Sequence, residues 1–311
     1  MTRGRAIAIG ECMIELARGS DGRFGQSFGG DTFNTAVYLA RAGVPTAYAT
    51  ALGDDPYSAG IVALAEAEGV ATDLVLRRAG RMPGLYLIET STDGERTFHY
   101  WRERSPVREL PDADDWPQLA TALEGARLIY LSGITLSLYS PTGLDRLHAA
   151  LEMARRAGAL VAMDGNYRPR GWGGDTSRAR SVMERFWRLT GVALPTFEDE
   201  ASLWGDPNAG ATIARLRHLG IAEIVVKRGA AGAVVAAEGA GAEVVPVPHP
   251  VSAVDTTAAG DSFNAAFLAA RLGGMVPAAA ALAGHRLAGV VVAHRGAIVP
   301  REATDGALAS D

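Results

Sequence analysis

The stretch Ala253-Val254-Asp255-Thr256-Thr257-Ala258-Ala259-Gly260-Asp261-Ser262-Phe263 constrains this chain most. A short apolar approach runs into small residues, and these run into an apolar helical pattern over 263–272. Small residues let the backbone approach a ligand closely, and the first amides of a helix lack internal partners. Those amides face outward at the positive end of the helix dipole, where an anion is stabilised. Asp261 falls in the first turn, where its carboxylate is expected to stay ionised and to take a proton from a hydroxyl. The chemistry suggested is phosphoryl transfer, with amides holding the transferring group while Asp261 deprotonates the acceptor. An acidic residue at a helix start also reads as a plain cap.

The rest of the chain supplies the sheet that such a helix would pack on. Residues 6–10 read as a buried strand, 11–17 as a second, 46–52 as a third, and 57–68 as a helix ended by Gly69. Strand-like runs at 85–90 and 97–101 flank a turn at 91–95 and predict a hairpin outside the parallel sheet. From residue 119 the pattern is regular βαβ, with strands at 128–131, 160–163, 192–194, 224–227 and 233–236. Helices are predicted over 141–157, 177–188, 209–219 and 277–292, and the tail from Thr304 reads as frayed. The expected fold is one α/β domain over 1–311, with a small β lid built from about 11–28 and 84–104.

Other motifs join the first. Gly29-Gly30-Asp31 precedes a helical pattern over 36–42, so Gly30 permits close approach, and Asp31 and Asn34 are placed to bond hydroxyls. A turn with a cap would look the same. Tyr86 and Ile88 alternate onto one face of the hairpin, Tyr100 and Arg102 onto another. Hydroxyls and a guanidinium suit a small polyhydroxy acid, and cross-strand packing is the plainer account. Arg168 follows a strand end, where α/β sites lie. Glu198, Asp199 and Glu200 open a helix, where they could hold the waters of Mg²⁺ or complement the dipole. Of 30 basic residues one is lysine, Lys227, in front of the glycine loop 228–232. A compact ammonium and a guanidinium are not interchangeable beside a phosphate, though chance survival is the simpler alternative.

Composition removes several classes. A net charge of −5 argues against a nucleic-acid surface or a membrane patch. A single cysteine, Cys12, excludes an internal disulfide and fits a reducing cytoplasm, the expected location. No signal-peptide pattern and no bilayer-length apolar run is visible. No G-x-G-x-x-G opens a βαβ unit, no Walker A loop is present, and the six histidines lack metal-ligand spacing.

Taken together, D-T-T-A-A-G-D at 255–261, G-G-D-x-x-N at 29–34, K-x-G-x-x-G at 227–232 and His285 followed by Gly296-Ala297 resemble the ribokinase-like (PfkB) carbohydrate kinases. The set occurs in family order and at family spacing along nearly the whole chain. Gly10-Glu11-Cys12-Met13-Ile14-Glu15-Leu16, Gly84-Leu85-Tyr86, Tyr100-Trp101-Arg102 and Asn166-Tyr167-Arg168-Pro169-Arg170 are similar to the branch acting on 2-keto-3-deoxygluconate.

The resemblance implies a three-layer α/β/α sandwich with a mostly parallel central sheet and a β lid that pairs with another lid in family members. It implies Asp261 as catalytic base, with the amides of Ala258, Ala259 and Gly260 as anion hole. Gly30, Asn34, Tyr86, Tyr100, Arg102 and Arg168 would contact the keto acid. Lys227, Gly229, Gly232 and Gly260 would line the phosphates of ATP, with His285 near the adenine. Asp255 and Thr257 match positions that hold a monovalent cation such as K⁺. The family's N-x-x-E motif, which organises Mg²⁺ through water, stands here as Thr196 and Asp199, with Glu200 as a substitute. A kinase of a neutral sugar such as fructose or ribose, and a non-catalytic sugar-acid sensor, are the rival expectations.

Overall fold

The computed structural model describes residues 4–19, 21–90 and 96–308. Its strands, in chain order, are β1 Ala6–Ile9, β2 Met13–Arg18, β3 Phe24–Gly29, β4 Thr46–Leu52, β5 Val70–Ala71, β6 Val75–Arg77, β7 Leu85–Thr90 and β8 Arg96–Trp101. They continue with β9 Leu128–Ser132, β10 Leu160–Asp164, β11 Val192–Ala193, β12 Glu223–Lys227, β13 Ala233–Ala237 and β14 Ala242–Val245. The main sheet runs β14-β13-β12-β11-β10-β9-β1-β4-β5, with β6 beside β4. It is parallel from β12 to β5, and β13 and β14 close one edge antiparallel.

Both faces of that sheet are covered, which is why its strands read as unbroken apolar runs. Alternate residues of one strand enter different cores. Ile7 and Ile9 pack with Leu119, Leu147, Leu151, Met183 and Ile213 on one side. Ala6 and Ala8 pack with Phe33, Val37, Phe263, Phe267 and Leu287 on the other. The result is three layers, with helices Trp116–Glu124, Pro141–Arg156, Thr176–Trp187 and Ala209–His218 on the first side, and Asp31–Arg41, Ala259–Leu272 and Pro277–Val292 on the second. The chain steps from β1 to β4 in one direction and later to β9 on the opposite side of β1. This reversal opens a crevice beyond the carboxyl ends of β1 and β9, where ligands bind in open α/β sheets.

A second sheet, β3-β2-β7-β8, stands apart. Its register sets Tyr86 opposite Tyr100 and Leu85 opposite Trp101. Tyr86 and Tyr100 therefore share one face, their rings 5.9 Å apart, and the expected division of the two tyrosines between faces is corrected. Period two orders residues within a strand; only the cross-strand register relates one strand to its neighbour. The turn expected at 91–95 lies outside the described residues.

Other expectations shift too. Glu11 and Cys12 are buried but precede the strand, which starts at Met13. A short helix, Gly133–Leu138, follows β9, with the Ser132 hydroxyl accepting from the Thr135 amide. The tail expected to fray is a helix, Arg301–Leu308, with buried Thr304 and with Ala303, Ala307 and Leu308 packed on the core. Among the described residues no helix is long and apolar enough to cross a membrane.

Candidate active site

The Ala259–Leu272 helix starts from Ala258, which takes the left-handed conformation at φ 59°. An alanine there is strained, and such strain persists only where surrounding bonds over-determine it. Those bonds are present. The Asp255 carboxylate accepts from the Thr257 amide at 2.8 Å and from the Gly296 amide at 2.9 Å. The Ala258 carbonyl accepts from the Ser262 amide and hydroxyl at 2.9 and 2.8 Å. The Ala259 amide donates to the Thr256 carbonyl at 3.2 Å, so in this state it closes a turn instead of facing a ligand.

Asp261 is 9% exposed. The Asn34 amide donates to its Oδ2 at 2.8 Å, and the Thr35 hydroxyl to its backbone carbonyl at 3.3 Å. Burial pushes its carboxyl up to about 7; Asp31 and Asp164 push the same way, while the Asn34 bond and Lys227 oppose them. The expectation of a permanently ionised carboxylate is corrected accordingly. A helix N-terminus favours charge, but desolvation beside two other carboxylates outweighs it.

Around Asp261 lies a network that sequence reasoning did not assemble. Asp164 ends β10, and its Oδ2 accepts from Lys227 Nζ at 2.6 Å and from Asn264 Nδ2 at 2.7 Å. Lys227 also donates to Asn264 Oδ1 at 2.9 Å, and Asn264 Nδ2 to the Tyr130 hydroxyl at 2.9 Å. The Asn166 amide donates to Asp164 Oδ1 at 3.1 Å, and its side chain to Asp31 Oδ2 at 2.8 Å. Asn264 stands three residues after Asp261, so helical spacing puts both on one face; that signal was available in the sequence.

Two cavities open on either side. The first, about 720 Å³, is lined by Gly30, Asp31, Tyr100, Arg102, Ile134 and Arg168 among others. Gly30 must lack a side chain, since a Cβ there would lie 2.0 Å from the Glu11 carbonyl oxygen. Arg102 donates to the Glu11 carboxylate, and Arg168 to Asp199 Oδ1 at 2.9 Å. Tyr86 is 7% exposed, and its hydroxyl donates to the Glu15 carboxylate; it supports Tyr100 from within the small sheet and does not line the cavity.

The second cavity, about 360 Å³, brings together Thr196, Lys227, Gly229, Gly232, Gly260 and His285 with the apolar walls Val251, Phe263 and Val292. Gly232 is doubly required: φ is 83°, and a Cβ would meet the Val245 carbonyl oxygen at 2.3 Å. His285 Nε2 bonds the same carbonyl at 3.2 Å, its ring stands edge-on to Phe263, and burial lowers its pKa, so it presents a neutral flat surface. Asp261 lines neither cavity. Gly260 beside it lines the second, and its partner Asn34 follows Gly30 and Asp31 of the first.

Glu200 points away from both cavities. It is fully buried, bonded to Arg215 at 2.6 Å, and pushed up to about 7 by burial against the lowering effect of Arg215. It cannot take the substitute metal role expected of it, because its helix turns it inward toward Gly165.

Fold and site thus define a phosphotransferase-type α/β protein with one cavity reaching Gly30 and Asp31 and a second, apolar-walled cavity at the mouth of the Ala259–Leu272 helix. The chain belongs to the pfkB family of carbohydrate kinases, which matches residues 4–304. It is 43% identical to the 2-dehydro-3-deoxygluconokinase of Escherichia coli K12 over 96% of this chain and 98% of that one. It is 42% identical to the enzyme of the same name from Dickeya dadantii over 97% and 99%. The crystal structure of 2-dehydro-3-deoxygluconokinase from Thermotoga maritima superposes with a TM-score of 0.83, at 23% identity over 98% of each chain. At that identity the superposition speaks for the fold alone.

Proposed function

We propose that this chain transfers the γ-phosphoryl group of ATP to the 6-hydroxyl of 2-dehydro-3-deoxy-D-gluconate. One observation carries the reading: two arginines, Arg102 and Arg168, line the cavity next to which Asp261 is held by Asn34. A neutral sugar needs hydroxyl-binding groups, whereas a keto acid brings a carboxylate that cations must match. Glycines 30 and 260 let the two substrates meet beside Asp261.

In this reading the sugar acid lies in the larger cavity. Arg102 and Arg168 take its carboxylate, Tyr100 packs against its chain, and Asp31 and Asn34 accept and donate to its hydroxyls. The small sheet acts as the lid, since Phe98 and Tyr100 face the cavity from β8 and Arg102 from just beyond its end. ATP lies in the smaller cavity, adenine against His285 and Phe263, phosphates over Gly229, Gly232 and Gly260. The 6-hydroxyl proton passes to Asp261 as the oxygen bonds the γ-phosphorus and the bond to the ADP oxygen breaks. The amides at 258–260 receive the charge on the transferring group, that of Ala259 exchanging its turn bond for it.

Mg²⁺ is commonly held by one or two carboxylates together with substrate phosphates. Among the described residues no three acidic, histidine or cysteine side chains form a metal site of their own, which fits an ion that arrives with the nucleotide. Asp199, 18% exposed at its side chain, is the carboxylate we assign to its water shell. The ion would neutralise phosphate charge. The loop of Asp255 and Thr257 is our candidate for K⁺. A substrate panel with ATP and Mg²⁺, following ADP formation, tests the whole reading; preference for fructose or ribose over the keto acid would overturn it.

A further inference from the structure

Lys227 stands at the edge of the nucleotide cavity, yet its ammonium is turned inward. Its side chain is 8% exposed. Two of its three N–H groups are committed, to Asp164 Oδ2 at 2.6 Å and to Asn264 Oδ1 at 2.9 Å. Those partners bond each other at 2.7 Å, so ammonium, carboxylate and amide close a triangle. Asn264 belongs to the helix that carries Asp261, Asp164 to the end of β10, and Lys227 to the end of β12. The triangle therefore fastens the Asp261 helix to two separate strand ends. Lys227 Nζ also lies 3.5 Å from where a Gly260 Cβ would be, directly under the helix mouth.

We infer that Lys227 is a positioning residue, an internal counter-ion that holds the Asp261 helix through Asp164 and Asn264, and not a ligand of the nucleotide phosphates. Its positive charge is already spent on Asp164. Asp31, Asp164 and Asp261 crowd one site, and without the ammonium three carboxylates would face each other with no cation among the described residues bonded to any of them. The same geometry explains why lysine survives here in a chain whose other basic residues are all arginine. A guanidinium carries five N–H groups in a rigid plane, and this pocket offers one carboxylate oxygen and one amide oxygen.

The role rests on the reading of Asp261 as base, but its first test does not depend on activity. Lys227 is the only lysine, so ¹⁵N-lysine labelling of the untagged chain gives one side-chain ammonium signal. A buried, bonded ammonium exchanges slowly: we expect the signal to be visible near neutral pH and to stay in place when ADP or a non-hydrolysable ATP analogue binds. Absence of the signal, or a large displacement on nucleotide binding, overturns the inference.

A double-mutant cycle supplies the second test. Lys227→Met and Asp164→Asn should each lower kcat by about 10–100-fold, with KM for ATP changed by less than about threefold, and the double variant should be little worse than either single one. Lys227→Arg should not restore the rate. A phosphate ligand would instead raise KM for ATP, and its loss would multiply with that of Asp164.

Discussion

The Asn34 side-chain amide donates to Asp261 Oδ2 at 2.8 Å across 227 residues of chain. Asn34 lies on the helix after the Gly29-Gly30 turn, and Asp261 in the first turn of the helix after Ala258. Each helix delivers one member of the pair to the crevice beyond β1. The bond commits one carboxylate oxygen and so sets the direction of the other.

Replacing Asp261 by Asn removes the proton acceptor but keeps the shape. We expect kcat to fall by about 10²–10⁴-fold, the usual contribution of a general base. Nucleotide affinity, followed by titration calorimetry, should be unchanged. Asn34→Ala should lower kcat less, since it frees the carboxylate without deleting it. A variant at 261 with undiminished turnover would remove the base assignment.

The rate should depend on pH near neutrality. A base must be deprotonated to act, and Asp261 is pushed up to about 7. The kcat profile is therefore expected to rise through pH 7 and level off above it. A flat profile from pH 5 to 8 would show that burial has been offset by another group.

The same shift makes stability depend on pH, because the folded value lies above the ordinary carboxylate range. Asp261 holds its proton more tightly folded than unfolded, so its contribution is fully present below the ordinary carboxylate range. It is lost as pH rises to the folded value of about 7. Asp261→Asn cannot ionise and escapes that loss. Its melting temperature should exceed that of the parent chain at pH 8, and the gap should close toward pH 4. An equal gap at both values would contradict the shift.

The two arginines should separate acid from neutral substrates. Arg102→Ala should cost roughly 2–5 kcal/mol in kcat/KM for the keto acid, as for a buried charge pair, and Arg168→Ala, whose side chain is 55% exposed, roughly 1 kcal/mol. Residual turnover of fructose, where measurable, should change far less. Equal losses on both substrates would mean that the arginines only hold Glu11 and Asp199, the carboxylates to which they are bonded.

Gly30→Ala should damage the site through the backbone. The new Cβ would sit 2.0 Å from the Glu11 carbonyl oxygen, and neither strand end nor helix start has a flexible tip to yield. A loss of about 1–3 kcal/mol in stability is expected from overpacking, with a raised KM for the sugar acid. Urea unfolding and substrate kinetics check the two effects separately.

What was legible before the tertiary structure was local. Apolar runs at β1, β9, β10 and β12 marked buried parallel strands, because both faces of such a strand are covered and neither needs polar residues. Small residues at 257–260 and the glycine pair at 29–30 marked close backbone approach. The short helix Gly133–Leu138 was hidden because its six residues, GITLSL, show no helical stripe; nearly all are buried. The helix at Arg301–Leu308 was missed for a different reason: it is held by packing on Leu308 and Ala307, not by its own propensity.

The sequence by itself determined the main buried strands and the long helices, the glycines where backbones meet, and the carboxylate at the helix mouth, since each follows from neighbours within a few residues. Only the tertiary structure decided which charges face each other. It turned Lys227 inward to Asp164, paired Arg168 with Asp199 and buried Glu200 against Arg215. It also raised Asp261 to about 7, chiefly by burying it and then by setting it near Asp31 and Asp164. Charge interactions and desolvation depend on distance and burial in space, and neither is set by separation along the chain.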